Sequence, residues 1–251
     1  MRMFPMSIKG VLLQPVVDEC PYIGGYISVN ENMHISDLEE NDMELLLNAG
    51  FRHFGQVFFR PICAHCRSCI SVRIPVQRFS PTKSTRRLFS RNKHLTVTME
   101  VPGPSMEQYE LYNLHKQRFS KKISESYEVY VKSFYYPFPF NRVLTIRDGE
   151  KLVAVTHLDV TTNAMSAIYC YFDPAYNRFS PGKFSIYNEI TIAKKMGIQW
   201  LYLGFYIPGN RHTEYKIDFK PNQFLGPDNK WHDYMDVEGN FLHPLPFHFA
   251  G

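Results

Sequence analysis

The sequence has no long apolar run and few cysteines. No stretch of the 251 residues approaches the roughly 18 consecutive apolar residues that a membrane-spanning helix needs. The first twenty residues are only briefly apolar and then acidic, so we expect no signal peptide and no membrane partner. Five cysteines is an odd number, and without a secretory signal it favours a reducing, cytoplasmic environment.

Motifs of several common enzyme classes are also missing. The chain contains no Gly-x-Ser-x-Gly, no His-Glu-x-x-His, no Walker A loop and no Gly-x-Gly-x-x-Gly. The sequence therefore argues against a protease, a kinase or a dehydrogenase. A hydrophobic fraction of 44% and a charged fraction of 21% nevertheless predict a folded globular protein rather than a disordered one.

Acidic residues are absent from one long stretch. Residues 45–99 carry ten lysines and arginines and no aspartate or glutamate, whereas residues 1–44 carry eight acidic side chains and two basic ones. A solvated basic face would explain this block, and so would a contact surface for a polyanion. Its length favours the second explanation, and the commonest polyanionic partner is a nucleic acid.

Capping residues and hydrophobic periodicity predict the elements of the first half. Residues 36–49 indicate a helix that Ser36 caps, with Glu39 completing a capping box and Gly50 ending it. Residues 70–79 alternate between apolar and polar side chains, which predicts a strand. A proline inside this strand suggests that it lies at a sheet edge.

The second half has a different pattern. A capping box at Ser105 predicts a helix over 105–122, and an Asp-Gly turn predicts a hairpin over 143–160. A strand over 165–172, a helix over 180–197 that begins at Ser180, and a strand over 198–206 follow. This order indicates a mixed sheet with packed helices.

We therefore predict an α+β fold in which a GNAT-like mixed sheet with packed helices is joined to a smaller cysteine-containing N-terminal module. The expected division is a basic module at residues 1–100 and a catalytic domain at residues 101–251. Acetyl-CoA-dependent GNAT enzymes normally hold the pyrophosphate with a Gln/Arg-x-x-Gly-x-Gly/Ala loop, which this chain lacks. The acyl donor is therefore not expected to be acetyl-CoA.

Three cysteines at three-residue steps form a candidate metal site. Cys63, Cys66 and Cys69 lie within RPICAHCRSCISVRIP, and Cys20 could supply a fourth thiolate. Zinc and iron–sulfur clusters need several thiolates converging within about 2.3 Å of the metal. Buried, unliganded thiols are the alternative, and Cys170 in an apolar strand is expected to be one of these.

Short motifs follow one another along nearly the whole chain. In the first half they are Cys20-Pro21-Tyr22, Gly50-Phe51-Arg52, Arg60-Pro61-x-Cys63-x-x-Cys66-x-x-Cys69, and Ser84-x-Arg86-Arg87 with Asn92. In the second half they are Tyr171-x-Asp173-Pro174, Ser180-x-Gly182, Glu189-Ile190, Leu203-Gly204-x-Tyr206-Ile207 and Tyr215-Lys216-x-x-Phe219-x-Pro221. In this order they resemble the aminoacyl-tRNA–protein transferases, the bacterial aspartate/glutamate leucyltransferases and related arginyltransferases. The chain departs from the family pattern at Ser180-Pro181-Gly182, His212-Thr213 and Gln223.

The resemblance implies an activity. The enzyme would move an aminoacyl group, leucine rather than arginine by preference, from a charged tRNA to the N-terminal amine of proteins that begin with Asp or Glu. The product would be marked for degradation through an N-degron pathway. Because an aminoacyl ester is already activated, the chemistry requires no cofactor, and zinc or an iron–sulfur cluster is expected only at the cysteines.

The resemblance also suggests roles for particular residues. The catalytic candidates, with a carboxylate as general base and tyrosines that position the substrates, are Asp173, Glu189, Tyr171, Tyr206 and Tyr215. The candidates for substrate binding are Lys83, Ser84, Arg86, Arg87, Ser180, Gly182 and Lys216. The metal candidates are Cys20, Cys63, Cys66 and Cys69. Two other classes stay open: a metal-stabilised RNA-binding module without catalysis, and a GNAT acyltransferase with another acyl donor.

Overall fold

The computed structural model describes residues 8–118 and 125–242. The strands in this part are β1 (Lys9–Leu12), β2 (Val16–Glu19), β3 (Ile27–Asp37), β4 (Arg52–Phe54), β5 (Val57–Pro61), β6 (Ile70–Pro75), β7 (Leu95–Glu100), β8 (Asn141–Asp148), β9 (Lys151–Val160), β10 (Ala164–Phe172), β11 (Trp200–Tyr206), β12 (Asn222–Leu225) and β13 (Trp231–Met235). The α-helices are α1 (Glu40–Asn48), α2 (Lys83–Arg91), α3 (Met106–Lys116), α4 (Tyr127–Phe134) and α5 (Pro181–Lys195). No helix among these residues has the length and apolar character that crossing a membrane requires.

The strands form two sheets. The smaller has the antiparallel order β1-β3-β5-β4, and β2 also pairs with β3. The larger has the order β13-β12-β6-β11-β10-β9-β8-β7, and its neighbouring strands are antiparallel except for β10 and β11, which are parallel. The predicted α+β fold with a mixed sheet is confirmed.

The chain passes from the small sheet to the large one between β5 and β6. The loop at this passage, residues 62–69, contains three of the cysteines. β6 and β7 belong to the first hundred residues, but they pair with strands that follow residue 140. The predicted boundary at residue 100, between a basic module and a catalytic domain, stays a prediction.

The expected start of the first helix is wrong. α1 begins at Glu40, and its N-cap position is Glu39 rather than Ser36. Ser36 instead belongs to β3, because this strand continues to Asp37 along β1, and the Ser36 hydroxyl donates to the carbonyl of Lys9. Long-range strand pairing has therefore overridden a local capping signal.

The predicted edge position of the strand at residues 70–79 is also wrong. β6 lies between β12 and β11, and all six of its residues are buried. Pro75 is its last residue and lies opposite Trp200 of β11, whereas β12 pairs only with Val72 and Arg73. The proline therefore ends the strand, where its missing N–H breaks no pairing with β12.

Several other predicted elements are confirmed. The Ser105 hydroxyl accepts a hydrogen bond from the amide of Gln108 at the start of α3, as the capping box predicts. α3 ends at Lys116, earlier than the expected Lys122, because residues 117–118 form a turn; residues 119–122 lie outside the described part of the chain. Asp148 closes β8 and precedes Gly149, whose φ of 57° makes the hairpin turn into β9.

Helices cover both faces of the large sheet. Successive residues of β8 and β9 point to opposite faces, so that Val143 and Val155 face α3 and α4 while Leu144 and Ala154 face α2 and α5. The first group is buried with Leu111, Tyr112, Tyr130 and Phe134, and the second with Leu88, Phe184, Ile190 and Ala193. Burial of these apolar side chains is the main force that stabilises the layered arrangement.

A buried ion pair connects the two sheets. His53 of β4 lies 2.7 Å from Asp159 of β9, between His Nε2 and Asp Oδ2, and the two side chains are 1% and 0% exposed. His53 Nδ1 lies 2.8 Å from the carbonyl of Gly55, and the Tyr136 hydroxyl donates to the other Asp159 oxygen at 2.7 Å. Both ring nitrogens and both carboxylate oxygens are therefore engaged, and these contacts tie β4 to β9.

We expect Asp159→Asn to destabilise the protein by about 1–3 kcal/mol, because it disrupts the buried hydrogen bonding of the carboxyl group with His53 and Tyr136. Equilibrium unfolding in urea measures this difference. Lys9→Ala removes a surface ion pair with Asp37, in which the two side chains are 74% and 61% exposed. This variant should have almost the same free energy of unfolding as the wild type. Equal stability losses in the two variants would contradict a special role for the buried pair.

Candidate active site

The two parallel strands of the large sheet separate along their length. β10 and β11 pair only where Ala164–Ser166 faces Trp200–Tyr202. Beyond this point their pairing with β9 and β6 is interrupted by irregularities at 167–169 and 202–204. A cavity of about 580 Å³ opens between the strands, and we call it the central cavity. It is also lined by β4, the start of α5 and residues 211–216.

Glu189 of α5 borders the central cavity and is completely buried. Its Oε1 accepts a hydrogen bond of 2.9 Å from Ser185 Oγ, which in turn lies 2.7 Å from Thr156 Oγ1. Its Oε2 has no hydrogen-bond partner among the described residues. Burial raises the pKa of Glu189 to about 7, so this carboxyl can exchange a proton near neutral pH.

Lys216 also lines the cavity and lies against β11. Its Nζ donates to the carbonyl of Phe205 at 2.7 Å. Burial, and after it the charge of Arg52, lowers the pKa of Lys216 to about 7. Gly204 adopts a φ of 80°, and a Cβ at this position would lie 3.4 Å from Lys216 Nζ. A glycine therefore gives the strand its irregular turn and leaves room for the lysine.

Arg52 of β4 extends the basic side of the cavity. It is 7% exposed, and its Nη1 donates to the carbonyl of Phe51 at 2.5 Å. Its Nε and Nη2 have no partner among the described residues. The guanidinium lies 5.4 Å and 5.7 Å from the ring centroids of Tyr202 and Phe205, and burial lowers its pKa to about 10. We predicted no role for Arg52, because nothing in the sequence distinguishes a buried arginine from the exposed ones around it.

Two further side chains complete the site near Glu189. Tyr215 lines the cavity, and burial raises its pKa, with further increases from Cys170 and Glu189. Cys170, which we predicted as a core thiol, is half-buried and also lines the cavity. Burial raises the pKa of its thiol to about 12, so that it is neutral at pH 7 and unsuited to nucleophilic attack.

The structure does not bring Asp173 into the central cavity. Its carboxylate accepts from the amide of Ala175 at 2.8 Å and so caps the 3₁₀ turn Pro174–Phe179. It also forms an ion pair of 2.8 Å with Lys151. Partial burial acts against ionisation, but Lys151 and the Ala175 amide together hold the pKa of Asp173 below its ordinary value. A carboxylate engaged in this way is a poor general base.

Tyr171 and Tyr206 also lie away from the cavity. Tyr171 is completely buried beside α3 and α4, where its hydroxyl lies 2.7 Å from that of Tyr130 and 3.2 Å from His157 Nε2. Tyr206 packs against Phe224 in a separate apolar cluster. Of the five catalytic candidates, the structure brings together Glu189 and Tyr215.

Ser180 and Gly182 line the central cavity at the start of α5. Ser180 occupies the N-cap position, where the helix was expected to begin, but it has a φ of 53° and its side chain accepts no capping hydrogen bond. The Ser180 hydroxyl instead accepts a hydrogen bond of 3.3 Å from Arg91 of α2. The amides at the start of α5 therefore lack a side-chain cap, and they favour an anion or a polar group in the cavity.

The other four binding candidates are exposed on α2: Lys83, Ser84, Arg86 and Arg87. A second cavity of about 660 Å³ lies between α2 and the start of α5, and Arg87 and Arg91 line it. Ser180 and Lys183 border both cavities. The two cavities therefore adjoin at the start of α5, between the basic helix α2 and Glu189.

The basic stretch at residues 45–99 does not form a single surface. Arg52 and Arg73 are buried, and Arg73 lies between the rings of Trp200 and Trp231 at 3.6 Å and 4.3 Å. Arg60 pairs with Glu31 and Arg78 with Asp233. The other six are exposed, and five of them lie on α2 or just after it. The candidate surface for a polyanion is therefore α2.

The four candidate metal ligands surround a third cavity of about 450 Å³, which shares Tyr22, Phe59 and Phe205 with the central cavity. Burial, and then the nearby thiols of Cys20, Cys63 and Cys66, raises the pKa of Cys69 to about 12. The four thiols thus lie near one another. Within residues 8–118 and 125–242, however, no three His, Cys, Asp or Glu side chains are arranged to hold a metal ion. Zinc or an iron–sulfur cluster at these residues stays a prediction, which metal analysis of the purified protein checks.

Among the motif departures, Ser180-Pro181-Gly182 and His212-Thr213 line the central cavity. Gln223 lies outside it and bonds with Arg73 and Asp233. The central cavity thus combines two separating strands with a buried carboxyl group on its wall.

Comparisons with known proteins identify the family. The N terminus of arginine-tRNA-protein transferase matches residues 18–87, and the C terminus matches residues 107–226. An aspartate/glutamate leucyltransferase of Campylobacter jejuni is 35% identical over 214 residues, which cover 83% of this chain and 90% of that protein. One from Allorhizobium ampelinum is 33% identical and covers 82% and 87%. The chain belongs to the aminoacyl-tRNA–protein transferase family, and it is an aminoacyltransferase.

Among solved structures, similarity is weaker. The C-terminal domain of a putative lysylphosphatidylglycerol synthetase from Agrobacterium fabrum is 16% identical, with a TM-score of 0.47. The match covers 70% of this chain and 57% of that one. Identity and TM-score are both too low to transfer a function.

Proposed function

We propose that this protein transfers an aminoacyl group, leucine by preference, from a charged tRNA to the N-terminal amine of proteins that begin with Asp or Glu. The acylated proteins would then be degraded through an N-degron pathway, in the cytoplasm where charged tRNA is found. We further propose that the large sheet with α5 is GNAT-like and forms the catalytic part. The observation that carries the proposal is Glu189, a buried carboxyl with an unpartnered oxygen at a cavity between separating strands.

The reaction needs little chemical activation. The amine nitrogen attacks the carbonyl carbon of the aminoacyl ester, an amide bond forms, and the carbon–oxygen bond to the ribose breaks. The nitrogen gives up a proton, and the ribose oxygen takes one. The protein therefore has to accept a proton, hold two substrates together and stabilise a developing oxyanion.

Glu189 is the proposed general base. With a pKa of about 7 it is largely ionised at pH 8 and still basic enough to accept a proton from an amine. Its free Oε2 is available to the substrate, while Ser185 and Thr156 orient the other oxygen. The uncapped amides at the start of α5 are the proposed partners of the oxyanion, because Lys216, with a pKa of about 7, is largely neutral at the pH at which Glu189 is ionised.

The charges in the central cavity favour a leucyl donor over an arginyl donor. Glu189 is the only carboxyl among the described lining residues, and it is buried. The basic lining residues are Arg52, Arg118, Lys183, Arg211 and Lys216. A guanidinium would meet like charge here, whereas Ala167, Ile168 and Leu203 offer apolar surface to a leucyl side chain.

We propose that α2 holds the tRNA backbone near its acceptor end. Its exposed cations are suited to phosphates, and the route through Ser180 and Lys183 would admit a single-stranded 3′ end into the central cavity. The side-chain partner of Ser180, Arg91, lies along this route.

The transfer reaction is tested with purified protein that is offered Leu-tRNA or Arg-tRNA, together with peptides that begin with Asp, Glu or Ala. We expect a mass increase of one leucyl group on the Asp and Glu peptides, and less or none with Arg-tRNA. tRNA binding without any product would favour an RNA-binding module instead. If neither charged tRNA yields product but acetyl-CoA does, the protein would be a GNAT acyltransferase with another acyl donor.

We expect Glu189→Gln to lower the transfer rate by about 10²- to 10⁴-fold. In the wild type the rate should rise with pH through about 7, because Glu189 must lose its proton to act as a base. In Glu189→Gln this rise in rate should disappear. Only the titration of the acceptor amine should remain, with a pKa of about 8. Asp173→Asn, outside the cavity, should keep most of the rate. Full turnover in Glu189→Gln would remove Glu189 as the base.

The double variant Arg86→Gln/Arg87→Gln should bind tRNA more weakly. The slope of log affinity against log salt should fall in magnitude by about 1–2, since each lost phosphate contact removes about one released counter-ion. Fluorescence anisotropy over a salt series measures it. Lys132→Gln on α4, across the sheet from α2, is the matched control and should leave the slope unchanged. Identical slopes in both variants would exclude α2 as the tRNA surface.

A further inference from the structure

The unpartnered edge of Arg52 has the geometry of a carboxylate site. Nη1 is engaged by the carbonyl of Phe51, whereas Nε and Nη2 are free. These two nitrogens lie on one side of the guanidinium and donate in parallel, which matches the two oxygens of a carboxylate. A buried guanidinium that leaves this edge unpaired is costly to the folded protein unless a ligand completes it.

No acidic group of the described residues neutralises this site. Arg52 forms no ion pair with any of them, and neither does the neighbouring Lys216. The charge of Arg52 lowers the pKa of Lys216, because the two cations repel each other. Both lie on the wall of the central cavity. An anion brought in by a substrate would relieve this repulsion.

The substrates carry two kinds of anion, the tRNA phosphates and the acceptor's side-chain carboxylate, and the burial of Arg52 favours the carboxylate. A tRNA phosphate is part of a continuous backbone, and a ribose flanks it on each side. It fits an open surface such as α2 better than a guanidinium that is 7% exposed between Tyr202 and Phe205. The carboxylate of an aspartate or glutamate side chain ends the side chain, so it can enter a closed recess.

We propose that Arg52 binds the side-chain carboxylate of the acceptor's N-terminal Asp or Glu through Nε and Nη2. The inference rests on the proposed transfer reaction and adds the residue that selects the acceptor. Lys216 contributes positive charge beside this carboxylate, and α2 has no part in the selection. An Asn or Gln acceptor would present an N–H group to a guanidinium that has only donors, so it would be rejected.

The test compares peptides that begin with Asp and with Asn, each with Leu-tRNA as donor. The quantity is the ratio of their kcat/KM values, which does not depend on how much of a preparation is folded. We expect the wild type to favour Asp by at least about 100-fold. Arg52→Gln should reduce the ratio to less than about tenfold, and Arg52→Lys should give an intermediate ratio because it keeps the charge and loses the paired donors.

Arg86→Gln is the matched control. Loss of a tRNA contact should slow transfer to both peptides equally and leave the Asp-to-Asn ratio at its wild-type value. A wild-type Asp-to-Asn ratio in Arg52→Gln would overturn the inference. If Arg52→Gln does not fold, a wild-type ratio in Arg52→Lys would overturn it instead. Wild-type protein that acylates neither peptide would instead contradict the proposed function itself.

Discussion

The buried pair between His53 and Asp159 holds the small sheet against the large one, and the cavity wall depends on it. His53 stacks on Phe58 with ring centroids 4.5 Å apart, so apolar packing and charge act at one point. Arg52 and Phe54, its neighbours in β4, both line the central cavity. A strand of three residues could not place a guanidinium reliably by itself. The ion pair and the surrounding core fix the strand, and with it the position of Arg52.

A second constraint comes from the separation of β10 and β11. Two parallel strands that part in a sheet leave backbone groups and apolar surface without neighbours, which is unfavourable unless something fills the gap. Here β4, α5 and residues 211–216 surround the gap without closing it. The same enclosure keeps Glu189 from water and raises its pKa to about 7. The fold thus bears the cost of a buried carboxyl group, as the proposed base requires if it is to work near neutral pH.

Local sequence signals predicted the elements of the second half well, because the capping box at Ser105, the turn at Gly149 and the apolar strands act over a few residues. They failed where distant pairing decides, as at Ser36 in β3 and at Pro75 in a central strand. For the site, the motifs led to Glu189 and Tyr215, which line the central cavity. They also led to Asp173, which caps a turn, and to Tyr171, which is buried in the core. Arg52 was part of one motif, Gly50-Phe51-Arg52, but received no role, since its burial and its free edge exist only in the folded chain.

The cations of the central cavity would do more than hold substrates. An acceptor's N-terminal amine is protonated in water near pH 7, and it cannot attack until it loses a proton. Placing it beside the protonated form of Lys216 disfavours the ammonium form, because like charges lower the pKa of a basic group. The carboxylate of the acceptor would meanwhile be paired with Arg52 and so could not stabilise its own ammonium. Binding of an acidic N-terminus would in this way activate its amine, and Glu189 would receive the proton.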